Sequence, residues 1–545
     1  MSQSRLWHGV SVASVICLVA APALFAAPPD LSYFFPAGAP IGATTQLTAQ
    51  GKFDPWPPKV WVDRAGVTLE PLPESGKLQA VVAADALPGT YWARLYNAQG
   101  ASRPVPFVVG QLPELNEAEP NDLPQKPQVI AQANQVLNGR LERTGDVDLY
   151  AVSLAHGQTL VARVDANQNL AAPLDAIVQV LDERGFVLQE NDDSQGLDPQ
   201  LVFTAPRAGT YLVRLLGFPA DPNSSISLAG HDTYLYRLTL ATSGWIDYTL
   251  PLAVANGEQS VELVGWNIPP ETRQIVPVPS ANNKLLLARH PALANSYVVP
   301  LVDHAAIVES EPNGADQPQS VPWPVTVTGR IDAPRDKDVY QFSAPAGAKV
   351  LLRAESRALG FPLDPVIEFQ DAAGKFLTRV DDIGAERDAE LVFAVPAEGA
   401  YRVQISDLHR QGGERYVYRL TCEAAAPDFA LTLDRDSFVL AAGGKLEIPV
   451  QVERRHGFAE PISVRLVGLP PGATAETVTS APEGDTAKQI KLTITAGAEP
   501  FTGPIQCVGE AAGAPPLSRH AMATIAGRTQ RTEQPWLTIA PADQK

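Results

Sequence analysis

Two stretches of this chain, Glu117-Ala118-Glu119-Pro120-Asn121-Asp122 and Glu309-Ser310-Glu311-Pro312-Asn313-Gly314, open long runs that can be laid on one another almost without gaps. Gly139-Arg140 meets Gly329-Arg330, and Asp146-Val147-Asp148-Leu149-Tyr150 meets Asp336-Lys337-Asp338-Val339-Tyr340, both at an offset of 190 positions. Pro173-Leu174-Asp175 meets Pro362-Leu363-Asp364 at 189, and Phe203, Pro206, Gly209 and Tyr211 return to 190 against Phe393, Pro396, Gly399 and Tyr401. A duplication held in register over that length restricts the fold. Whatever structure one copy adopts, the other must adopt too.

The period inside each copy is two. Leu149-Tyr150-Ala151-Val152-Ser153-Leu154 and Thr159-Leu160-Val161-Ala162-Arg163-Val164 alternate around a turn at Ala155-His156-Gly157, and the second copy repeats this around Pro345-Ala346-Gly347. Such runs, cut by glycine and proline, read as short strands of a sandwich. The 50 prolines and 40 glycines of the whole chain fit that reading and work against long helices.

Between and around the copies lie shorter β-type segments. Residues 28–112 alternate in Lys59-Val60-Trp61-Val62 and Tyr91-Trp92-Ala93-Arg94-Leu95, with turns at Gly51, Pro57-Pro58 and Pro88-Gly89. A reduced relative follows over 244–307, where Tyr248, Pro251, Gly257 and Gly265 answer Tyr33, Pro36, Gly42 and Gly51. Its strand pattern is shorter, so it is expected to lean on its neighbours for a core. Residues 427–527 alternate cleanly in Leu446-Glu447-Ile448-Pro449-Val450 and Ile490-Lys491-Leu492-Thr493-Ile494. The expected fold is all-β, a string of five small β-sandwich domains over 28–112, 113–243, 244–307, 308–424 and 427–527, set out as a rod. A polar tail over 528–545 closes the chain, and within it Trp536-Leu537-Thr538-Ile539 is expected to add an edge strand.

Residues 1–27 read as a secretory signal, with Arg5 before the apolar run Val10 to Ala20 and small residues at Ala23, Ala26 and Ala27. That run is shorter than the ~20 residues a membrane helix needs, and no later stretch is a candidate span. The chain is therefore expected to be exported: periplasmic, cell-surface or secreted. A formal net charge of −18 argues against nucleic acid, whose phosphates need a basic surface. Beyond the signal only Cys422 and Cys507 remain, in different expected domains, and they read as buried thiols or as a pair.

The ordered set E-x-E-P-N-D, G-R, D-x-D-x-Y, P-L-D, D-D and P-x-x-G-x-Y resembles the bacterial pre-peptidase C-terminal (PPC) domain family in both long modules. The shorter segments look Ig-like or IPT-like. Members of the family are jelly-roll-like β-sandwich modules on secreted proteins, often beside a protease, and relatives in bacterial collagenases bind calcium and collagen. The resemblance implies an accessory or binding module and a calcium site lined by the E-x-E-P-N and D-x-D segments. On this chain those are Glu117, Glu119, Asn121, Asp146 and Asp148 in the first copy, and Glu309, Glu311, Asn313, Asp336 and Asp338 in the second.

Physical chemistry points the same way. In an extended segment Glu117, Glu119 and Asn121 share a face. Asp146 and Asp148 share parity with Tyr150 and Val152, the core-facing row, where carboxylates are costly unless a cation or several donors satisfy them. Calcium takes six to eight oxygens from such groups. Gly314 stands where the first copy has Asp122, which weakens the second set. The alternative is that these acids cap turns in water, which is the expectation for Asp192-Asp193 and Asp381-Asp382. Tyr234, Tyr236, Tyr416 and Tyr418 share parity with Leu238 and Leu420 and are expected in the cores.

Catalytic motifs are missing. The histidines never fall in H-x-x-x-H spacing, and there is no G-x-S-x-G, P-loop or G-x-G-x-x-G after a strand. The expectation is a non-catalytic binding or adhesion protein, its partner an extracellular or envelope polymer, either protein or polysaccharide. A structural spacer of the cell envelope and an accessory component of a secreted protease are the alternatives.

Overall fold

The computed structural model describes residues 27–541 except 222–226, 229, 258, 281–283, 383–387, 514–515 and 529. The signal reading over 1–27 therefore lies outside the described residues but for Ala27, as does part of the polar loop between Pro219 and Thr233. The architecture is all-β. Among the described residues the helical elements are one short turn each, Asn167–Leu170, Pro270–Thr272 and Arg357–Leu359.

Each long module is two five-stranded sheets facing across one core. In the first copy one sheet runs Glu114–Asn116, Gln135–Arg140, Leu235–Ala241, Thr159–Asp165, Gln200–Thr204. The other runs Gln128–Ile130, Asp148–Leu154, Gly209–Pro219, Leu174–Leu181, Val187–Asn191. The second copy repeats both strand orders, including the parallel first pair of each sheet. Period-2 alternation explains the core: Tyr150, Val152 and Leu154 point inward against Leu160, Ala162 and Val164 from the facing sheet.

Residues 28–112 form two sheets around Phe34, Leu47, Tyr91 and Phe107, and share Tyr33, Ala37 and Val108 with the core of the first long module. The reduced relative keeps the first segment's opening strand to the residue. A bulge falls between Leu31 and Tyr33 in one and between Ile246 and Tyr248 in the other. Gly51 and Gly265 are the glycines this bulge requires, since a Cβ would stand 1.9 Å from the Asp30 carbonyl oxygen and 2.0 Å from that of Trp245. With only three and four strands, this segment does lean on its neighbours. Trp245 packs with Val136 and Val161 of the first module, and Tyr248 with Phe361 and Val417 of the second.

Two expectations fail at the C-terminal end. Strand Trp536–Ala540 is not an edge. It lies between Ser437–Ala441 and Phe501–Pro504, with Leu537 and Ile539 in the same core as Phe429 and Ile448. A four-residue apolar run between polar flanks carries no sign of which neighbours it will have. Nor is the chain an open rod, because its first and last sandwiches pack together. Trp536 is 1% exposed, with its ring 5.6 Å from Trp61 and 5.1 Å from Tyr96, both in the first segment. Arg94 donates through Nη2 to Asp436 Oδ2 at 2.5 Å, and both side chains are almost wholly buried. On its strand Arg94 has the outward parity of Trp92 and Tyr96, so alternation alone places it in water. Cys422 and Cys507 are buried free thiols in separate cores.

Candidate metal centres

The opening segments are not extended as the sequence suggests. Strands Glu114–Asn116 and Ala305–Val308 end just before them, and the Glu119–Pro120 and Glu311–Pro312 peptides are cis. The Asn121 N–H donates to Glu119 Oε2 at 3.2 Å, and the Asn313 N–H to Glu311 Oε2 at 2.9 Å, so a local side-chain bond replaces a sheet ladder. The acids nevertheless come together, because the segment folds over the start of the strand that carries Asp148.

In the first module, carboxylate oxygens of Glu117, Glu119 and Asp148 lie within 4.8 Å of one another, as do those of Glu119, Asp122 and Asp146. Glu119 belongs to both groups. Protein donors reach only some of these oxygens. Glu117 Oε2 accepts the Arg140 N–H at 2.9 Å, Asp146 Oδ2 accepts the Glu142 N–H at 2.5 Å, and Asp122 Oδ2 pairs with the exposed Arg143. Among the described residues Asn121 Oδ1, Asp122 Oδ1, Asp146 Oδ1 and Asp148 Oδ1 are buried with no hydrogen-bond partner, although the Arg143 guanidinium stands 3.5 Å from Asp146 Oδ1. Asn121, Asp146 and Asp148 are themselves at most 1% exposed. Buried oxygens without donors cost about 1–3 kcal/mol each, more when charged. Arg143 faces the Asp122 and Asp146 group, whereas no cation pairs with the Glu117, Glu119 and Asp148 group among the described residues.

Tyrosines underlie the acids. Tyr236 donates to Asp148 Oδ2 at 2.5 Å and lies 3.2 Å from Glu117 Oε2, while the Tyr150 and Tyr236 hydroxyls are 2.5 Å apart. Two hydroxyl protons serve three such contacts, so the oxygens outnumber the donors here as well. The Tyr236 ring also explains the G-R motif: a Cβ on Gly139 would stand 2.1 Å from the Tyr236 hydroxyl oxygen, and one on Gly329 2.3 Å from that of Tyr418. Strand parity puts Tyr236 and Tyr418 in the cores, where they are, but it does not encode the direction of their hydroxyls, which point at Asp148 and Asp338.

Burial, and then mutual repulsion, raises the acids. Glu117 is pushed from an ordinary 4.5 up to about 8, chiefly by burial. Asp148 rises well above the usual carboxylate range, first by burial and next by the charge of Glu117. Glu119 is raised by burial too.

The second module is plainer. Glu309, Glu311 and Asp338 converge within 4.8 Å, and Tyr418 donates to Asp338 Oδ2 at 2.5 Å. Asp336 stays out of the group, accepting the Asp332 N–H at 3.0 Å and the Lys337 N–H at 2.8 Å. Asn313 turns its amide onto Glu309 Oε2 at 3.2 Å, leaving Asp338 Oδ1 as the orphan. Burial lifts Glu309 to about 7, and burial with the charge of Glu309 lifts Asp338 to about 9. Gly314 supplies no oxygen where Asp122 does. The pairs Asp192-Asp193 and Asp381-Asp382 sit apart, exposed or half-exposed just after strands Val187–Asn191 and Phe376–Val380.

Replacing Tyr236 by Phe keeps the ring over Gly139 and removes the one side-chain donor that Asp148 has among the described residues. The metal-free chain is expected to lose about 1–3 kcal/mol, the cost of a further unsatisfied buried oxygen. Thermal melting of the variant in a chelator checks this, and a melt identical to wild type would show that the hydroxyl does not support the acid.

The family model described as the bacterial pre-peptidase C-terminal domain matches residues 146–217, which include Asp146 and Asp148. Among solved structures the chain is similar to the pre-peptidase C-terminal domain of a collagenase from Bacillus anthracis, at 12% identity over 21% of this chain and 100% of that one, TM-score 0.16. It is similar to fibronectin(III)-like modules of Clostridium thermocellum CbhA, at 16% identity over 37% and 90%, TM-score 0.14. It is also similar to the M60 catalytic domain with CBM51 domains of Clostridium perfringens ZmpB, at 12% identity over 73% and 46%, TM-score 0.14. No curated protein matches the chain. Among the described residues no helix is long and apolar enough to cross a membrane.

Proposed function

We propose that this chain is an exported, non-catalytic binding protein whose long modules are steadied by calcium. The observation that carries the reading is the convergence of the Glu117, Glu119 and Asp148 carboxylates, with Asp148 Oδ1 buried and without a partner among the described residues. Glu117, Glu119, Asn121, Asp122, Asp146 and Asp148 would hold the ion in the first module, and Glu309, Glu311 and Asp338 a weaker one in the second. An all-oxygen, carboxylate-rich set suits calcium, whereas magnesium demands a tighter octahedron and sheds its waters reluctantly. The ion's contribution is charge: it offsets carboxylates that repel one another and ties the opening segment to strand Asp148–Leu154. The modules then present rigid sheet faces to an extracellular or envelope polymer, protein or polysaccharide.

Isothermal titration of the exported form, residues 28–545, tests this. Calcium should bind in a tighter and a weaker class, magnesium should bind far less, and Asp148→Asn should remove the tighter class alone. Absence of calcium binding by the wild type would leave these acids without a metal role. Co-sedimentation with insoluble collagen, chitin or cellulose, in calcium and in chelator, separates a binder from an envelope spacer. The Arg94–Asp436 clasp favours the spacer as the second reading, since it holds the two ends of the chain in fixed relation.

A further inference from the structure

A second polar site lies where three domains meet. Tyr33 and Arg103 from the first segment, Thr233 and the Leu170-Ala171 turn from the first long module, and Arg528 from the C-terminal end line a cavity of about 280 Å³. Two guanidiniums enter it, and among the described residues neither pairs with a carboxylate. Arg528 donates through Nη1 to the carbonyls of Leu170 and Ala171 at 3.5 and 3.4 Å and lies over the Trp92 ring, while its Nε is buried without a partner. Among the described residues Arg103 donates only to the Leu31 and Ser32 carbonyls, at 3.4 and 3.5 Å. These are long bonds, and a guanidinium has five N–H donors to place. The acids near Tyr33 are engaged elsewhere, Glu142 with Arg140 and Asp232 with His231.

Two cations sharing a small cavity repel one another unless an anion joins them. Burial, and then the charge of Arg103, lowers Arg528 to about 10. In a chain of net charge −18 an unneutralised basic pair is out of keeping with the rest of the molecule. Planar forks of this kind match carboxylate, phosphate and sulfate geometry, and Tyr33 and Thr233 add hydroxyls. The volume is at the small end for ligand sites, which suits one anionic group or one sugar ring.

We propose that Arg103 and Arg528 form an anion-binding pocket, for a single carboxylate, phosphate or sulfate group, that fastens the C-terminal sandwich to the first segment and the first long module. The acids of the metal centres play no part in it, so it stands or falls separately from calcium binding.

The test is thermal melting of residues 28–545 in a chelator, titrated with inorganic phosphate, inorganic sulfate or D-glucuronate against chloride of equal ionic strength. Phosphate and sulfate stabilise folded proteins generally by exclusion from the surface, so the variants decide. Arg103 is exposed, and Arg103→Gln should fold normally yet bind about tenfold or more weakly, as expected when a charge-assisted bond is lost. Arg528→Lys should keep the charge, lose the fork and weaken binding as well. A saturable rise with at least one of the three anions, diminished in both variants, supports the pocket, and the anion giving it names the ligand's chemistry. No saturable rise, or one of equal size in wild type and Arg103→Gln, overturns it.

Discussion

Asp436→Ala should part the two ends of the chain and lower the melting transition of the C-terminal sandwich by roughly 15 °C or more. The side chains of Arg94 and Asp436 are 1% and 3% exposed, so removing the carboxylate leaves a guanidinium in the interior with, among the described residues, only the Ser102 carbonyl at 3.1 Å as acceptor. Removing one partner of a buried pair costs about 3–5 kcal/mol, and for a domain of this size each kcal/mol is worth about 4–8 °C. Burial already lowers Arg94, and Asp436 opposes that shift. The double change Arg94→Met/Asp436→Leu should recover most of the loss, because it removes both charges and leaves apolar volume beside Trp536. Small-angle scattering should find Asp436→Ala more extended than either wild type or the double variant. An alanine variant that melts and scatters like wild type would mean that the clasp does not close the chain.

The second large effect is on pH dependence. Without metal, Glu117 titrates at about 8 in the folded state against an ordinary 4.5, and Asp338 at about 9 against 3.8. The folded chain therefore holds protons that the unfolded chain has already released. Stability contributed by these groups is full below the unfolded values, falls as pH rises through the interval, and levels off above the folded values. The chelated protein should thus melt several degrees lower at about pH 9 than at about pH 5. Calcium should flatten or reverse the slope, because it binds the ionised carboxylates and stabilises by RT ln(1 + [L]/Kd), about 2.7 kcal/mol at a hundredfold excess. Asp146→Asn/Asp148→Asn should melt at or above wild type in chelator at alkaline pH and gain less from calcium. Calorimetry across that range in both conditions checks it. A chelated wild type that grows more stable toward alkaline pH would contradict the burial of these acids.

Much of this molecule is legible in its sequence. The offset of 190 fixes two modules of one topology, and alternation assigns Tyr150, Val152, Leu238 and Leu420 to the cores, because a strand buries every second side chain whatever its partners are. The acids of the candidate metal centres are also legible, since E-x-E-P-N and D-x-D recur together. What they touch is not. That Asp148 rests on Tyr236, and that Asp336 spends both oxygens on backbone amides while Asp146 turns one toward Arg143, depends on loops whose course no periodicity encodes. Long-range closure is hidden most completely. Arg94 and Asp436 are 342 positions apart, Arg94 has the parity of a solvated charge and Asp436 lies in the polar link Asp434-Arg435-Asp436 between two strands, and only packing two finished sandwiches together removes the water between them. Strand alternation is set locally by backbone geometry, whereas the burial of a charge is set by whatever surface arrives opposite it, and that the tertiary structure alone decided.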